Sequence, residues 1–136
     1  MVFLLDQKLQ ADCIKLGELK LSRLLLMNDS QYPWLILVPR CTTAIHEVHE
    51  LNDSDRRSLM DESNRVALAL QEIYKPDKLN IAAIGNIVSQ LHIHHVARFK
   101  NDIAWPAPVW GAKPRIAYDQ DKLQNTCAVI KNHFNL

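Results

Sequence analysis

The sequence predicts an α+β domain, with an antiparallel β-sheet of about five strands, one long helix and shorter terminal helices. Its 136 residues fit one domain and are enough to bury roughly 68% of the unfolded chain's surface. Two pairs of apolar strands flank one long amphipathic helix. Because strands and helices do not alternate along the chain, a doubly wound parallel sheet is excluded.

The N-terminal part of the chain predicts a short helix followed by a β-hairpin. Asp6 is an N-cap candidate for a helix that runs to about Cys13, and Gly17 ends this unit. The hairpin has a first apolar strand over residues 19–27, a turn cluster over 28–33 and a second apolar strand over 34–38, which Pro39 closes.

A long amphipathic helix follows the hairpin. Its N-cap candidates are Asn52, Asp53 and Ser54, and it ends near Tyr74 because Pro76 disfavours helical geometry in the residue before it. The positions that repeat with helical periodicity on one face are Leu59, Ser63, Val66, Ala67, Leu70 and Ile73.

The C-terminal half predicts a second strand pair and a closing helix. The two strands are residues 79–84 and 90–99, separated by a turn at Gly85 and Asn86. A loop rich in Trp and Pro covers residues 102–114. The closing helix follows Asp119 or Asp121, with apolar positions at Leu123, Cys127, Ile130 and Phe134.

The strand over residues 90–99 carries the candidate site. Gln90, His92 and His94 alternate with apolar residues, so a strand turns all three to one face, while His95 takes the other. Such groups are costly to bury without partners, which favours a row of side chains lining a pocket.

Charge, apolar content and cysteine number exclude several classes of partner and site. The net charge is +1, with 16 basic and 15 acidic residues, so neither nucleic acid nor a membrane is an expected partner. No apolar run is long enough to cross a bilayer, and the N-terminal residues do not resemble a signal peptide, so we expect a cytoplasmic protein. Three widely spaced cysteines predict neither a disulfide framework nor a zinc site.

The histidine pattern is also compatible with a structural role or a metal site. Two histidines at i and i+2 are more often structural than catalytic, and one strand face can also present two metal ligands. The segment His46-Glu47-Val48-His49-Glu50 lacks the second histidine of an HExxH motif, so we interpret it as solvated and predict no metal site.

The stretch Gln90-Leu91-His92-Ile93-His94-His95-Val96 resembles the histidine triad (HIT) superfamily, whose motif is His-φ-His-φ-His-φ-φ with φ apolar. Further matches are the hairpin, with Val38-Pro39 at its end, and the strand Leu79-Asn80-Ile81. The resemblance covers roughly residues 15–112 of a single domain spanning residues 1–136, with 113–136 as an extension. Two departures are Gln90 at the first histidine position and Trp34 near another pocket histidine of many members.

The resemblance implies nucleotidyl transfer through a histidine. His92 would attack the α-phosphate of a nucleotide, and water would release the monophosphate from the imidazole. Its attacking nitrogen must be unprotonated, and its other nitrogen must be fixed by an acceptor, typically a backbone carbonyl. His94, in its protonated form, and the amide of Gln90 both point to the same face and could be the partners of the phosphoryl charge.

The resemblance also implies substrate-binding residues. Asn28 matches a position that contacts ribose, Asn86 lies within reach of phosphate, and Ser89 is a weaker candidate. Trp105 and Trp110 would close the pocket or pack across a dimer interface. Each of these has an ordinary alternative as a turn or packing residue.

Together these inferences predict a homodimeric hydrolase or transferase for purine nucleotide conjugates, of the phosphoramidate or dinucleoside polyphosphate type. No cofactor is expected, although Mg²⁺ bound to the substrate is compatible with the mechanism. The alternative is a nucleotide-binding module with little or no turnover, because two family histidines are replaced, at Gln90 and Trp34.

Overall fold

The computed structural model describes residues 2–136 and confirms the predicted α+β class. A five-stranded antiparallel sheet has the order β1-β2-β3-β5-β4. In chain order the elements are α1 (Gln7–Asp12), β1 (Cys13–Glu18), β2 (Ser22–Met27), β3 (Trp34–Pro39), α2 (Asp53–Tyr74), β4 (Lys78–Ala82), β5 (Ile93–Arg98) and α3 (Gln120–Phe134).

The first strand of the sheet was missed in the sequence. Residues 13–18 pair with β2, whereas the sequence suggested the end of a helix followed by one long strand from Leu19. The pairing of β1 is irregular between Lys15 and Gly17, and only Leu16 of this strand is buried. An edge strand of this kind is stabilised by pairing with its neighbour, so its sequence lacks a clear alternation of apolar and polar residues.

The two faces of the sheet are covered differently. One face packs against α2 and α3 around Leu24, Leu35, Leu70 and Ile130. The opposite face is covered by α1 and by loop residues, and it carries a second apolar cluster. That cluster contains Leu9, Leu25, Tyr32, Trp34, Ile36, Val38, Val88, Val96, Ala104 and Val109.

Helix α2 is fixed at its start and along its buried face. Asn52 is the N-cap, and its side chain accepts a hydrogen bond from the backbone of Asp55. The buried carboxylate of Glu62 accepts hydrogen bonds from the backbone N–H groups of Leu21 and Ser22, at 2.7 and 3.1 Å. These contacts hold the helix against the turn between β1 and β2.

Strand β5 lies between β3 and β4 and is shorter than predicted. It begins at Ile93, so Gln90 and His92 precede the strand, and β4 ends at Ala82. In the register of β3 and β5, His94 lies opposite Ile36 and His95 lies opposite Leu35. Within residues 2–136, no helix is both long and apolar enough to cross a membrane.

Candidate functional site

The two central histidines of the motif open onto a cavity of about 530 Å³ on the sheet face opposite α2. Its walls come from α1, the ends of β2 and β3, the β4–β5 loop and the loop before α3. Its lining includes Lys8, Asp12, Met27, Asp29, Trp34, Asn86, Val88, His92, His94, Trp110, Lys113 and Arg115.

The imidazole of His92 is buried and has one defined hydrogen bond. Its Nδ1 lies 2.7 Å from the backbone carbonyl oxygen of Gln90. Since a carbonyl only accepts hydrogen bonds, Nδ1 carries the ring proton and donates it. The neutral ring therefore has its lone pair on Nε2, which is the form a nucleophilic imidazole needs.

His94 is held as a neutral ring. The indole Nε1–H of Trp34 donates to Nδ1 of His94 at 3.0 Å, so the single proton of the neutral ring lies on Nε2. Burial, together with the neighbouring His92 and His95, lowers the pKa of His94 to about 3. The expected protonated His94 is therefore corrected: this residue offers an Nε2–H donor rather than a positive charge.

The side chain of Gln90 is engaged with the N-terminal segment. Its Nε2 donates to the carbonyl oxygen of Leu4 at 2.9 Å, and its Oε1 accepts from the backbone N–H of Asp6 at 2.8 Å. The prediction that its amide faces the phosphoryl group is therefore corrected. Because Gln90 precedes β5, strand alternation does not set the direction of its side chain. Its backbone carbonyl is the part that contacts His92.

The predicted polar substrate-binding residues occupy different surroundings. Asn86 lines the cavity with both histidines. Ser89 lies outside it, and its carbonyl oxygen contacts the ring of His46 at 3.0 Å. The side-chain oxygen of Asn28 accepts from the backbone N–H of Tyr118 at 3.0 Å, so this residue anchors the segment before α3.

Of the two tryptophans in the 102–114 loop, Trp110 lies in the cavity. Its ring packs edge-on against His94 and Trp34, with centroid separations of 5.3 and 6.1 Å. Trp105 lies outside the cavity, and its ring covers the guanidinium of Arg98 at 5.6 Å. Arg98 follows His94 by four residues on the same strand face, and Trp105 packs over Arg98 rather than over the histidines.

Sequence reasoning missed a buried carboxylate in the cavity. Asp29 is 4% exposed, and its Oδ1 accepts hydrogen bonds from the backbone and side chain of Gln31. From the sequence, Asp29 was predicted only as a turn residue of the hairpin, because Asp is common in turns. The cavity rim also carries Lys8 and Arg115, both paired with Asp12, and Lys113.

His95 faces the helix side of the sheet, as the alternation predicted. It is fully buried, and its Nε2 lies 2.8 Å from the hydroxyl of Ser63 on α2. Burial lowers the pKa of His95 to about 4, so the ring is neutral and belongs to the core. Within residues 2–136, no cluster of three or more His, Cys, Asp or Glu side chains is arranged to hold a metal ion.

Comparisons with known proteins agree with this geometry. A family model described as the HIT domain matches residues 8–101. A histidine triad protein from Bradyrhizobium japonicum is 44% identical, with 98% of each chain covered and a TM-score of 0.95. One from Marinobacter aquaeolei VT8 is 40% identical over 99% of this chain and 98% of its own, with a TM-score of 0.95.

A histidine triad protein from Sinorhizobium meliloti 1021 is 41% identical, with 96% of each chain covered and a TM-score of 0.92. No curated protein sequence matches the chain significantly. The similarity to these three structures spans nearly the whole chain, including the segment after residue 101.

Proposed function

The chain belongs to the histidine triad (HIT) family, and on this premise we propose that it cleaves purine nucleotide conjugates at the α-phosphate through a nucleotidyl-histidine intermediate. Members of this family are generally nucleotide hydrolases or transferases. The conjugates are of the phosphoramidate or dinucleoside polyphosphate type.

The observation that carries this proposal is the hydrogen bond from His92 to the backbone of Gln90. It fixes the proton on Nδ1 and leaves the lone pair of Nε2 free, and the ring borders a cavity of about 530 Å³. A neutral imidazole with a defined tautomer beside a cavity is the arrangement that nucleophilic catalysis requires.

The cavity contains groups suited to the parts of a nucleotide. The Nε2–H of His94 and the amide of Asn86 are donors for phosphate oxygens. The carboxylate of Asp29 can accept hydrogen bonds from ribose hydroxyls. Apolar side chains such as Met27 and Val88 provide a surface for the base.

The reaction has two steps. In the first, Nε2 of His92 forms a bond to the α-phosphorus as the bond to the leaving group breaks with its electron pair. In the second, water attacks the same phosphorus and gives up a proton, the N–P bond breaks, and the electron pair returns to Nε2. The neutral His94 donates to the phosphoryl oxygens in both steps.

We further propose that the protein is a homodimer and needs no cofactor of its own. Any Mg²⁺ would arrive bound to the phosphates of the substrate. Sedimentation equilibrium tests the dimer, and turnover in the presence of EDTA tests the metal requirement. Loss of phosphoramidate turnover in EDTA would contradict the second point.

A single-turnover assay tests the function. Adenosine phosphoramidate and diadenosine tetraphosphate are mixed with wild type or His92→Ala, and AMP and acid-labile labelled protein are measured. We expect both products from wild type and neither from the variant. AMP release that continues in His92→Ala would overturn the proposed mechanism.

The second candidate is a nucleotide-binding module with little turnover. It is favoured by Gln90 at the first motif position, because an amide cannot transfer a proton at neutral pH and its polar atoms are engaged with Leu4 and Asp6. AMP binding without product from either substrate would support this candidate over the enzyme.

A further inference from the structure

A second, smaller cavity of about 160 Å³ also opens onto His92. One of its walls comes from the segment between β3 and α2, which we interpreted as solvated from the sequence. The lining residues are His46, Glu47, Ala83, Ile84, Gly85, Asn86, Ser89, Gln90, Leu91 and His92.

Two contacts join the segment around His46 to the motif, and a third joins His46 to Glu50. The backbone N–H of Leu91 donates to the carbonyl oxygen of Ile45 at 2.9 Å, which aligns the two segments. The backbone N–H of His46 donates to Oε1 of Glu50 at 3.2 Å, and its ring contacts the carbonyl oxygen of Ser89 at 3.0 Å. The side chain of His46 is solvent-exposed, as the sequence predicted, and its ring contact orients it beside the motif.

The ring contact also defines the tautomer of His46. The contact joins Nδ1 of His46 to a carbonyl acceptor, so Nδ1 carries a proton in the neutral ring and in the cation alike. Proton exchange is thereby assigned to Nε2. His46 and His92 thus share one arrangement, with Nδ1 tied to a backbone carbonyl.

The proposed reaction needs a proton for its leaving group, and the motif itself does not provide one. His94 is neutral with Trp34 donating to its Nδ1, and the Gln90 amide is engaged elsewhere. Among the residues lining the small cavity, the ionisable side chains besides His92 are His46 and Glu47. Imidazole is the side chain that both binds and releases protons near neutral pH.

We propose that the small cavity receives the leaving group and that His46 is the general acid that protonates it. This inference rests on the proposed function and deepens it. In the first step the bond between α-phosphorus and the leaving nitrogen breaks, the electron pair goes to that nitrogen, and the proton comes from Nε2 of His46. In the second step Nε2 of His46 takes a proton from the attacking water.

The lining of the cavity favours an amine as the leaving group. The carboxylate of Glu47 attracts an ammonium and repels the polyphosphate released from a dinucleoside polyphosphate. Of the two conjugate types proposed above, this charge therefore favours the phosphoramidate.

The test compares two substrates that differ in their need for an acid. Adenosine phosphoramidate releases an amine that must be protonated, whereas the p-nitrophenyl ester of AMP releases a stable phenolate. In a single turnover, we expect His46→Gln to slow release of the amine from the phosphoramidate by about 10²- to 10⁴-fold. Release of p-nitrophenolate from the ester, which reports the first step alone, should be nearly unchanged. His49→Gln is the matched control, because His49 is exposed and lines neither cavity.

The outcomes separate this inference from the proposed function. Equal effects of His46→Gln on both substrates, or no effect on either, would overturn the role of His46. If His92→Ala still abolishes cleavage of both substrates, the proposed function stands. If wild type cleaves neither substrate, or His92→Ala cleaves both as wild type does, both proposals fail.

The leaving-group class has its own test. We expect wild type to cleave adenosine phosphoramidate with a higher kcat/KM than diadenosine tetraphosphate, and Glu47→Gln to reduce this preference. A preference for the tetraphosphate, or one unchanged by Glu47→Gln, would overturn the assignment of the cavity to an amine.

Discussion

Replacing Trp34 with Phe tests how His94 is kept neutral. The change retains an aromatic ring and removes the Nε1–H that donates to Nδ1 of His94 at 3.0 Å. A buried acceptor left without its donor costs about 1–3 kcal/mol, and the smaller ring adds a packing loss. We expect the free energy of unfolding to fall by at least this amount.

The same change should alter the titration of His94. Burial and the neighbouring imidazoles of His92 and His95 lower its pKa to about 3. Without the indole donor, Nδ1 is free to bind a proton, so the pKa should rise in Trp34→Phe. Turnover should also fall, by up to about 10²- to 10³-fold, if the Nε2–H of His94 loses its orientation towards the phosphoryl group.

The assay is ¹H–¹⁵N NMR of the histidine rings across pH, which reports both the pKa and the protonated nitrogen. Tyr32→Phe is the control, because Tyr32 packs edge-on against Trp34 and its buried hydroxyl has no hydrogen-bond partner within the described chain. The reasoning is refuted if wild-type His94 carries its proton on Nδ1, or if Trp34→Phe leaves its titration unchanged.

Three further predictions concern stability and binding. The pKa values of about 3 for His94 and about 4 for His95 lie below the value of an unfolded histidine, about 6.5. The unfolded chain therefore binds more protons, and stability is lost as pH falls below about 6.5. The free energy of unfolding in urea should be lower at pH 5.0 than at pH 7.5 by about 2 kcal/mol for each residue, and equal values would contradict this. Asp29→Asn should weaken AMP binding about 10- to 150-fold by calorimetry, and an unchanged Kd would remove Asp29 from the site. Gln90→His should lose about 1–3 kcal/mol of stability by breaking two hydrogen bonds, without raising turnover; a large gain in turnover would show that this position limits catalysis.

Local patterns were sufficient for much of the fold. The apolar periodicity and the stop at Pro76 predicted α2, which runs over Asp53–Tyr74 with Asn52 as its N-cap. The two apolar runs around the turn cluster predicted the hairpin of β2 and β3. These elements are encoded by neighbouring residues, so a single sequence is enough to find them.

The parts that the sequence did not predict depend on contacts between distant residues. Strand β1 is defined by its pairing with β2, and the orientation of the Gln90 side chain is set by the N-terminal segment more than eighty residues away. The bond from Trp34 to His94 joins two strands and spans sixty positions. Sequence alternation placed His94 on the correct face but gave no information about its proton.

The different positions of the two tryptophans in the 102–114 loop also depend on contacts that the sequence does not show. Trp105 and Trp110 are equivalent by composition, and only the packing of Trp105 over Arg98 separates them. Arg98 is itself held by the carboxylate of Asp102 and by the side chain of Asn80. The loop path therefore follows from a buried ion pair that has no signature in the sequence.

Trapping the covalent intermediate tests the central claim most directly. Wild-type protein is quenched during turnover of adenosine phosphoramidate, digested at neutral or alkaline pH, and the modified residue is located by mass spectrometry. We predict an adenylyl group on His92, with ³¹P NMR showing the linkage at Nε2. AMP formation without modified protein, or modification of another histidine, would contradict the account.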